Sequence, residues 1–213
     1  MPAASFYSAL PLILLALLAT PQEMPDFGPD GLAGITEAQK QQLYKGKIIL
    51  PDRVVLTPDG KRIVEAAIIF NQPPDKVWSL LSKTEDQSKY LDEVKKSIAL
   101  AKSPSADLLE IHTRILTKTM VYRLIHRFDK SSLYFYWRLD PSFKSEVRKL
   151  DGFWRFYPLA DGRTLARYGS YFSLGFGVPE FIVTSLTKKS LPKALLSVKK
   201  YVDSGGTWDK NQN

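Results

Sequence analysis

The chain has 213 residues, 44% of them hydrophobic and 24% charged, with a formal net charge of +8. That composition excludes a largely disordered chain and a polytopic membrane protein, and the length suits one domain with a core of its own. There is no cysteine and there are two histidines, His112 and His126, so disulfides, thiolate nucleophiles, cysteine-held zinc and iron–sulfur clusters are excluded. No metal and no cofactor is expected.

Residues Ala9–Ala19 (ALPLILLALLA) form an uncharged apolar run as long as a signal-peptide core and shorter than a bilayer span. No Lys or Arg precedes the run and Pro11 lies within it, so two readings stay open for residues 1–20: an export signal, or an uncleaved N-terminal anchor. Both imply an exported protein, periplasmic or secreted. Pro21, Pro25, Gly28, Pro29 and Gly31 then read as a flexible linker over 21–35. A domain is expected over 36–203, and Gly205-Gly206 opens a frayed polar tail over 204–213.

Within the domain, Thr36 caps a short helix to Tyr44, which Gly46 ends. Residues Lys47–Leu56 and Lys61–Phe70 are β-branched runs joined by a Pro-Asp-Gly turn, with Pro51 breaking or bulging the first. Pro74 then opens a helix that carries Val77, Trp78, Leu80 and Leu81, and a second short helix follows near 85–91 as a lid-like insertion. From Glu93 the chain alternates apolar and polar residues, giving strands near 93–101, 107–116, 119–128, 132–140, 146–158 and 163–174. One face of each strand is explicit: Leu109 with Ile111 and Thr113; Met120 with Tyr122, Leu124, His126 and Phe128; Phe135 with Trp137 and Leu139. The last element is a helix over Val178–Val202, kinked at Pro192. A hairpin, two short helices, a long meander and a closing helix make an α+β order in which the helix fills the concave side of the sheet.

Three stretches carry a family likeness. AAIIFNQPPDKVWSLLS (66–82) resembles the strand, proline corner and Val-Trp helix of the START-like superfamily, the SRPBCC group of polyketide cyclases/dehydrases, lipid-transport and coenzyme Q-binding-like proteins. LDGFWRFYPLADGRTLARY (150–168) is similar to that group's hairpin, with Gly152, Trp154, Pro158, Asp161, Gly162, Thr164 and Tyr168 in its pattern, and residues 177–202 look like its closing helix. The resemblance implies a helix-grip fold, a curved antiparallel sheet wrapped around a long C-terminal helix. It also implies an apolar cavity for a lipid, sterol, quinone or polyketide, and leaves catalysis open.

Aromatic residues on the strands are the strongest functional signal, because small-molecule sites are concave and mainly apolar. Tyr90, Tyr122, Trp137, Trp154, Tyr168 and Phe172 are the expected ligand-binding walls, with Arg138 or Arg155 meeting a polar headgroup at the mouth. No G-x-S-x-G, Walker A, G-x-G-x-x-G or H-E-x-x-H pattern is present. His112 reads as a surface residue and His126 as a satisfied sheet histidine, while Glu85/Asp86 and Asp92/Glu93 read as solvated charges. Without convergent titratable groups, binding is favoured over a cyclase or dehydratase using the same cavity, and no catalytic residue is expected. Lys188, Lys189, Lys193, Lys199 and Lys200 read as a solvated helix face, or as a transient contact with an anionic membrane surface. With no RNP-like pattern, a nucleic-acid partner is not expected.

Overall fold

A computed structural model describes residues 24–51, 55–56, 62–115, 118–174 and 189–212. Helix α1 (Glu37–Tyr44) begins at a full capping box: Thr36 Oγ1 accepts from the Gln39 N–H, and the Gln39 side chain accepts from the Thr36 N–H. The expected first strand is interrupted at Leu50 and Pro51. Its described residues give a bridge from Ile49 to Ala67 and a two-residue strand β1 (Val55–Leu56), both set against β2 (Arg62–Phe70). The Pro-Asp-Gly turn at 57–60 lies outside the described residues.

Helix α2 (Pro74–Leu81) follows with Pro74 in its first turn, where a missing N–H costs nothing, and it buries Val77, Trp78, Leu80 and Leu81. A 3-10 turn (Thr84–Asp86) and the single-turn helix α3 (Gln87–Tyr90) lead into the meander. Its strands are β3 (Val94–Lys102), β4 (Ala106–Ile115), β5 (Lys118–Asp129), β6 (Tyr134–Leu139), β7 (Val147–Pro158) and β8 (Thr164–Leu174). All pairings are antiparallel, and the order across the sheet is β1-β2-β8-β7-β6-β5-β4-β3, so β2 closes on β8 and the early strands join the late ones.

Helix α4 (Leu191–Asp203) lays Leu195, Val198, Tyr201 and Val202 against the inner face. Its α-helical part is described from Leu191, with Pro192 in that turn and a wider π turn at 189–190 before it. Residues 178–188 of the expected helix lie outside the described residues. The architecture is the expected α+β helix grip, a curved antiparallel sheet closed by a C-terminal helix and short helices.

Over β2, β8, β7 and β6 both faces of the sheet are buried. Period-2 alternation sends Phe135, Trp137, Trp154 and Phe156 to the inner core, and Tyr134, Tyr136, Phe153 and Tyr157 to a second cluster on the outer face. Covering that outer cluster is the segment expected as a linker. Phe27 is fully buried with its ring tilted against Phe153 at 5.8 Å, while Arg167, also fully buried, donates to the carbonyls of Gly31 (2.9 Å) and Ala33 (3.1 Å) and to Glu65 Oε2 (3.2 Å). Residues 24–35 are therefore docked on the sheet, held by backbone acceptors that composition does not display. The tail is docked too: Lys210 Nζ donates to Leu91 O and to Val94 O (2.8 Å), and Trp208 packs on the inner core. Among the described residues no helix is long and apolar enough to cross a membrane.

Candidate functional site: a cavity between sheet and closing helix

The inner face, α3 and α4 line a partly open cavity of about 190 Å³. Five of the six expected wall residues line it: Tyr90, Tyr122, Trp137, Trp154 and Tyr168. Phe172 does not. It lies half-buried against the inner core, and its cross-strand partner Leu150 takes the wall position instead. From α4, Leu191, Ala194, Leu195 and Val198 complete the enclosure on the i, i+3, i+4, i+7 stripe.

The aromatic wall depends on a glycine. Trp137 and Gly152 are cross-strand partners, and the indole lies across Gly152 so closely that a Cβ there would sit 2.3 Å from Trp137 Cζ2. Trp154 and Tyr168 are likewise partners, with ring centroids 4.8 Å apart. Tyr90 stacks on Tyr201 of α4 at 4.5 Å, and the Tyr201 hydroxyl donates to Asp86 Oδ2 at 2.9 Å, so the 84–90 segment is tied to the closing helix by one ring pair and one hydrogen bond. Burial pushes the phenols of Tyr90, Tyr122 and Tyr168 above their ordinary range, which keeps them neutral inside the apolar enclosure.

The expected headgroup arginines face the other way. Arg155 donates to Pro25 O at 2.7 Å and lies over the Tyr157 ring on the outer face, and Arg138 shares the outer parity of Tyr134 and Tyr136. Much of the expected basic stretch is engaged within the protein: Lys193 pairs with Asp92 (2.7 Å) and Lys199 with Asp203 (2.7 Å). Lys193 thereby holds the Asp92 carboxyl below its usual range. His112 sits half-buried on the polar face at 3.0 Å from Glu110, as expected.

His126 is different. It is 1% exposed, lines the cavity, and its Nδ1 lies 2.7 Å from Asp107 Oδ1; the other oxygen of Asp107 accepts from the hydroxyl of Thr84. All three residues are buried, with Asp107 and His126 facing each other across β4 and β5. The expectation that no titratable groups converge on the cavity is therefore corrected: an imidazole stands on its wall, with a carboxylate behind it. The alternation of β5 already puts His126 inside with Tyr122 and Leu124, and Asp107 is in phase with Leu109 and Ile111.

No protein-family model matches the sequence, and no curated protein matches it. Solved structures do. An aromatase/cyclase from Streptomyces sp. R1128 superposes with a TM-score of 0.58 at 15% identity, over 67% of this chain and 93% of that one. A START superfamily protein from Mycobacterium smegmatis gives 0.57 at 17%, over 67% and 97%. The fold is START-like. A STAR-related lipid transfer protein from Xanthomonas axonopodis shares it at a TM-score of 0.57 and 12% identity, over 66% and 85%. At such identities the likeness concerns the START-like architecture, in which helix and sheet grip a common interior.

Proposed function

We propose that the protein binds or carries a hydrophobic small molecule of the lipid, sterol or quinone class in the cavity between the inner face of the sheet and α4. The observation that carries this is the cavity of about 190 Å³ walled by Tyr90, Tyr122, Trp137, Trp154 and Tyr168 on the inner face of the sheet. It is supported by the fold shared with a protein called a lipid transfer protein. The volume lies below the ~300–1,000 Å³ of most ligand sites, yet above the ~150 Å³ known to hold a benzene ring. It therefore suits one or two rings, or the end of a larger amphiphile. Native mass spectrometry of the purified protein, before and after organic extraction, tests the proposal: a releasable apolar adduct is expected. A protein that is empty and takes up nothing from a lipid extract would refute it.

A second reading, a cyclase- or dehydratase-type enzyme using the same cavity, is favoured by the buried His126–Asp107 pair, since such chemistry needs an oriented acid or base. Export is part of the proposal and rests on the apolar run at Ala9–Ala19. N-terminal sequencing of protein recovered from cell fractions checks it, and a full-length cytoplasmic product would refute it. Transient contact with an anionic membrane surface is proposed on the same footing; salt-sensitive sedimentation with anionic but not neutral vesicles is its expected mark.

A further inference from the structure

We infer that His126 is the polar anchor of the cavity and selects an apolar ligand carrying a hydroxyl group, an alcohol or phenol, over a hydrocarbon or ketone of the same shape. This rests on the ligand-cavity proposal above.

Partner chemistry fixes which ring nitrogen carries a proton. Asp107 receives the Thr84 hydroxyl on one oxygen and meets His126 Nδ1 at 2.7 Å on the other. A carboxylate is an acceptor only, so Nδ1 must carry the proton, and in the neutral imidazole Nε2 is then an acceptor. Thr84 is itself anchored: it is fully buried, and its carbonyl accepts from the Ser97 hydroxyl at 3.1 Å. The ring is also held from its sides, with Phe128 stacked at 6.1 Å and 9° and Trp137 tilted at 6.0 Å. Nδ1 and the neighbourhood of the ring faces being taken, the Nε2 edge is what the imidazole has left to offer a ligand. Nε2 has no hydrogen-bond partner among the described residues.

The other polar groups on the wall act differently. The hydroxyls of Tyr90, Tyr122 and Tyr168 stay protonated, because burial raises them. As phenols they both donate and accept, as do the Gln87 amide and the Ser170 hydroxyl on the same wall, so these groups can turn to meet an alcohol or a ketone and do not separate the two. Nε2 does, because it rewards only a ligand that brings its own proton. A buried acceptor left without a donor is penalised, and that asymmetry is the source of selection.

The test uses 2-naphthol and naphthalene, a pair that differs by one hydroxyl, and 2-acetylnaphthalene as the ketone. In wild-type protein with ¹⁵N-labelled histidine, the two imidazoles give separate ring signals, and His112 on the polar face is the internal control. The free protein is expected to show His126 with Nδ1 protonated and Nε2 bare. 2-Naphthol is expected to move the Nε2 signal, while naphthalene and the ketone bind without moving it, and His112 is unaffected by all three. In His126→Phe, the preference for 2-naphthol over naphthalene is expected to fall about tenfold, with naphthalene affinity held within about threefold. If none of the probes binds, the ligand-cavity proposal itself fails. If they bind but the Nε2 signal responds equally to all three, or is found protonated in the free protein, the anchor is overturned and the cavity proposal stands. The isotope measurement needs no substitution, so a His126→Phe chain that does not fold leaves it intact.

Discussion

Gly152→Ala and Gly169→Ala are expected to cost the same stability and to differ in what they do to ligand binding. At Gly152 a Cβ would lie 2.3 and 2.5 Å from Trp137 Cζ2 and Cε2, and 2.8 Å from the carbonyl oxygen of Gly169. Carbon pairs sit comfortably at about 3.5–4.0 Å, so the indole must lift by about 1 Å, and no rotamer relieves the backbone contact. Overpacking of this kind costs about 1–3 kcal/mol, which for a chain of this size lowers Tm by about 2–12 °C. At Gly169 the new Cβ would meet the Phe153 ring at 2.3 and 2.5 Å and Ile63 Cγ2 at 3.1 Å, a comparable insult. Gly152, however, lies under Trp137 of the cavity wall, whereas Gly169 lies under Phe153 on the outer face. Thermal unfolding followed by titration with naphthalene separates the two. Both variants should unfold early, and Gly152→Ala alone should lose about tenfold in affinity, equivalent to about 1.4 kcal/mol. An unchanged Tm in Gly152→Ala, or equal losses of affinity in both variants, would refute the assignment of Trp137 as a wall resting on Gly152.

Three further outcomes are expected. Glu65→Leu strips the carboxylate from the buried Arg167 guanidinium and should cost about 3–5 kcal/mol by denaturant unfolding, while Glu65→Leu with Arg167→Leu should recover most of that loss. Tyr201→Phe removes the hydrogen bond to Asp86 and should cost about 1–2 kcal/mol; because that bond ties the 84–90 segment to α4, stopped-flow release of naphthalene should also quicken, and an unchanged rate would exclude this segment as the exit. Glu110 is held below the usual carboxylate range by its hydrogen bonds, first from His112 and then from Arg123. A lowered folded-state value stabilises the fold above the unfolded pKa of about 4.3 and loses that stabilisation as pH falls through the folded value. Glu110→Gln should therefore melt earlier than the parent at neutral pH, with the gap closing in acid.

The meander and the inner aromatic set were legible because apolar and polar residues alternate along β4 to β8. Five of six expected wall residues followed from that alternation together with the family likeness. Phe172 shares the parity of Tyr168 but lies beyond the enclosure, since periodicity gives the face and not how far a cavity runs along it. His126 was placed inside but read as inert. Its partner was hidden by register, which approximate strand limits do not fix: the observed pairing brings Asp107 opposite His126. Thr84 reaches the pair from a different element, a contact that no spacing in the sequence encodes. The outer layer was missed for a related reason. Prolines and glycines between 21 and 35 describe a chain that can turn, and the carbonyls that receive Arg167 become visible only once the segment lies on the sheet.

Arg167 also bears on how the chain avoids closing wrongly. On β8 it alternates with Ala166 and Tyr168, whose side chains belong to the interior, so a slip of one position would swing the guanidinium into the oily side among Trp137 and Trp154. A lone charge there costs several kcal/mol and would have no carboxylate waiting, since Glu65 would remain behind the sheet. The ion pair thus works as a key cut for one alignment, penalising the mispaired hairpin more heavily than it rewards the correct one.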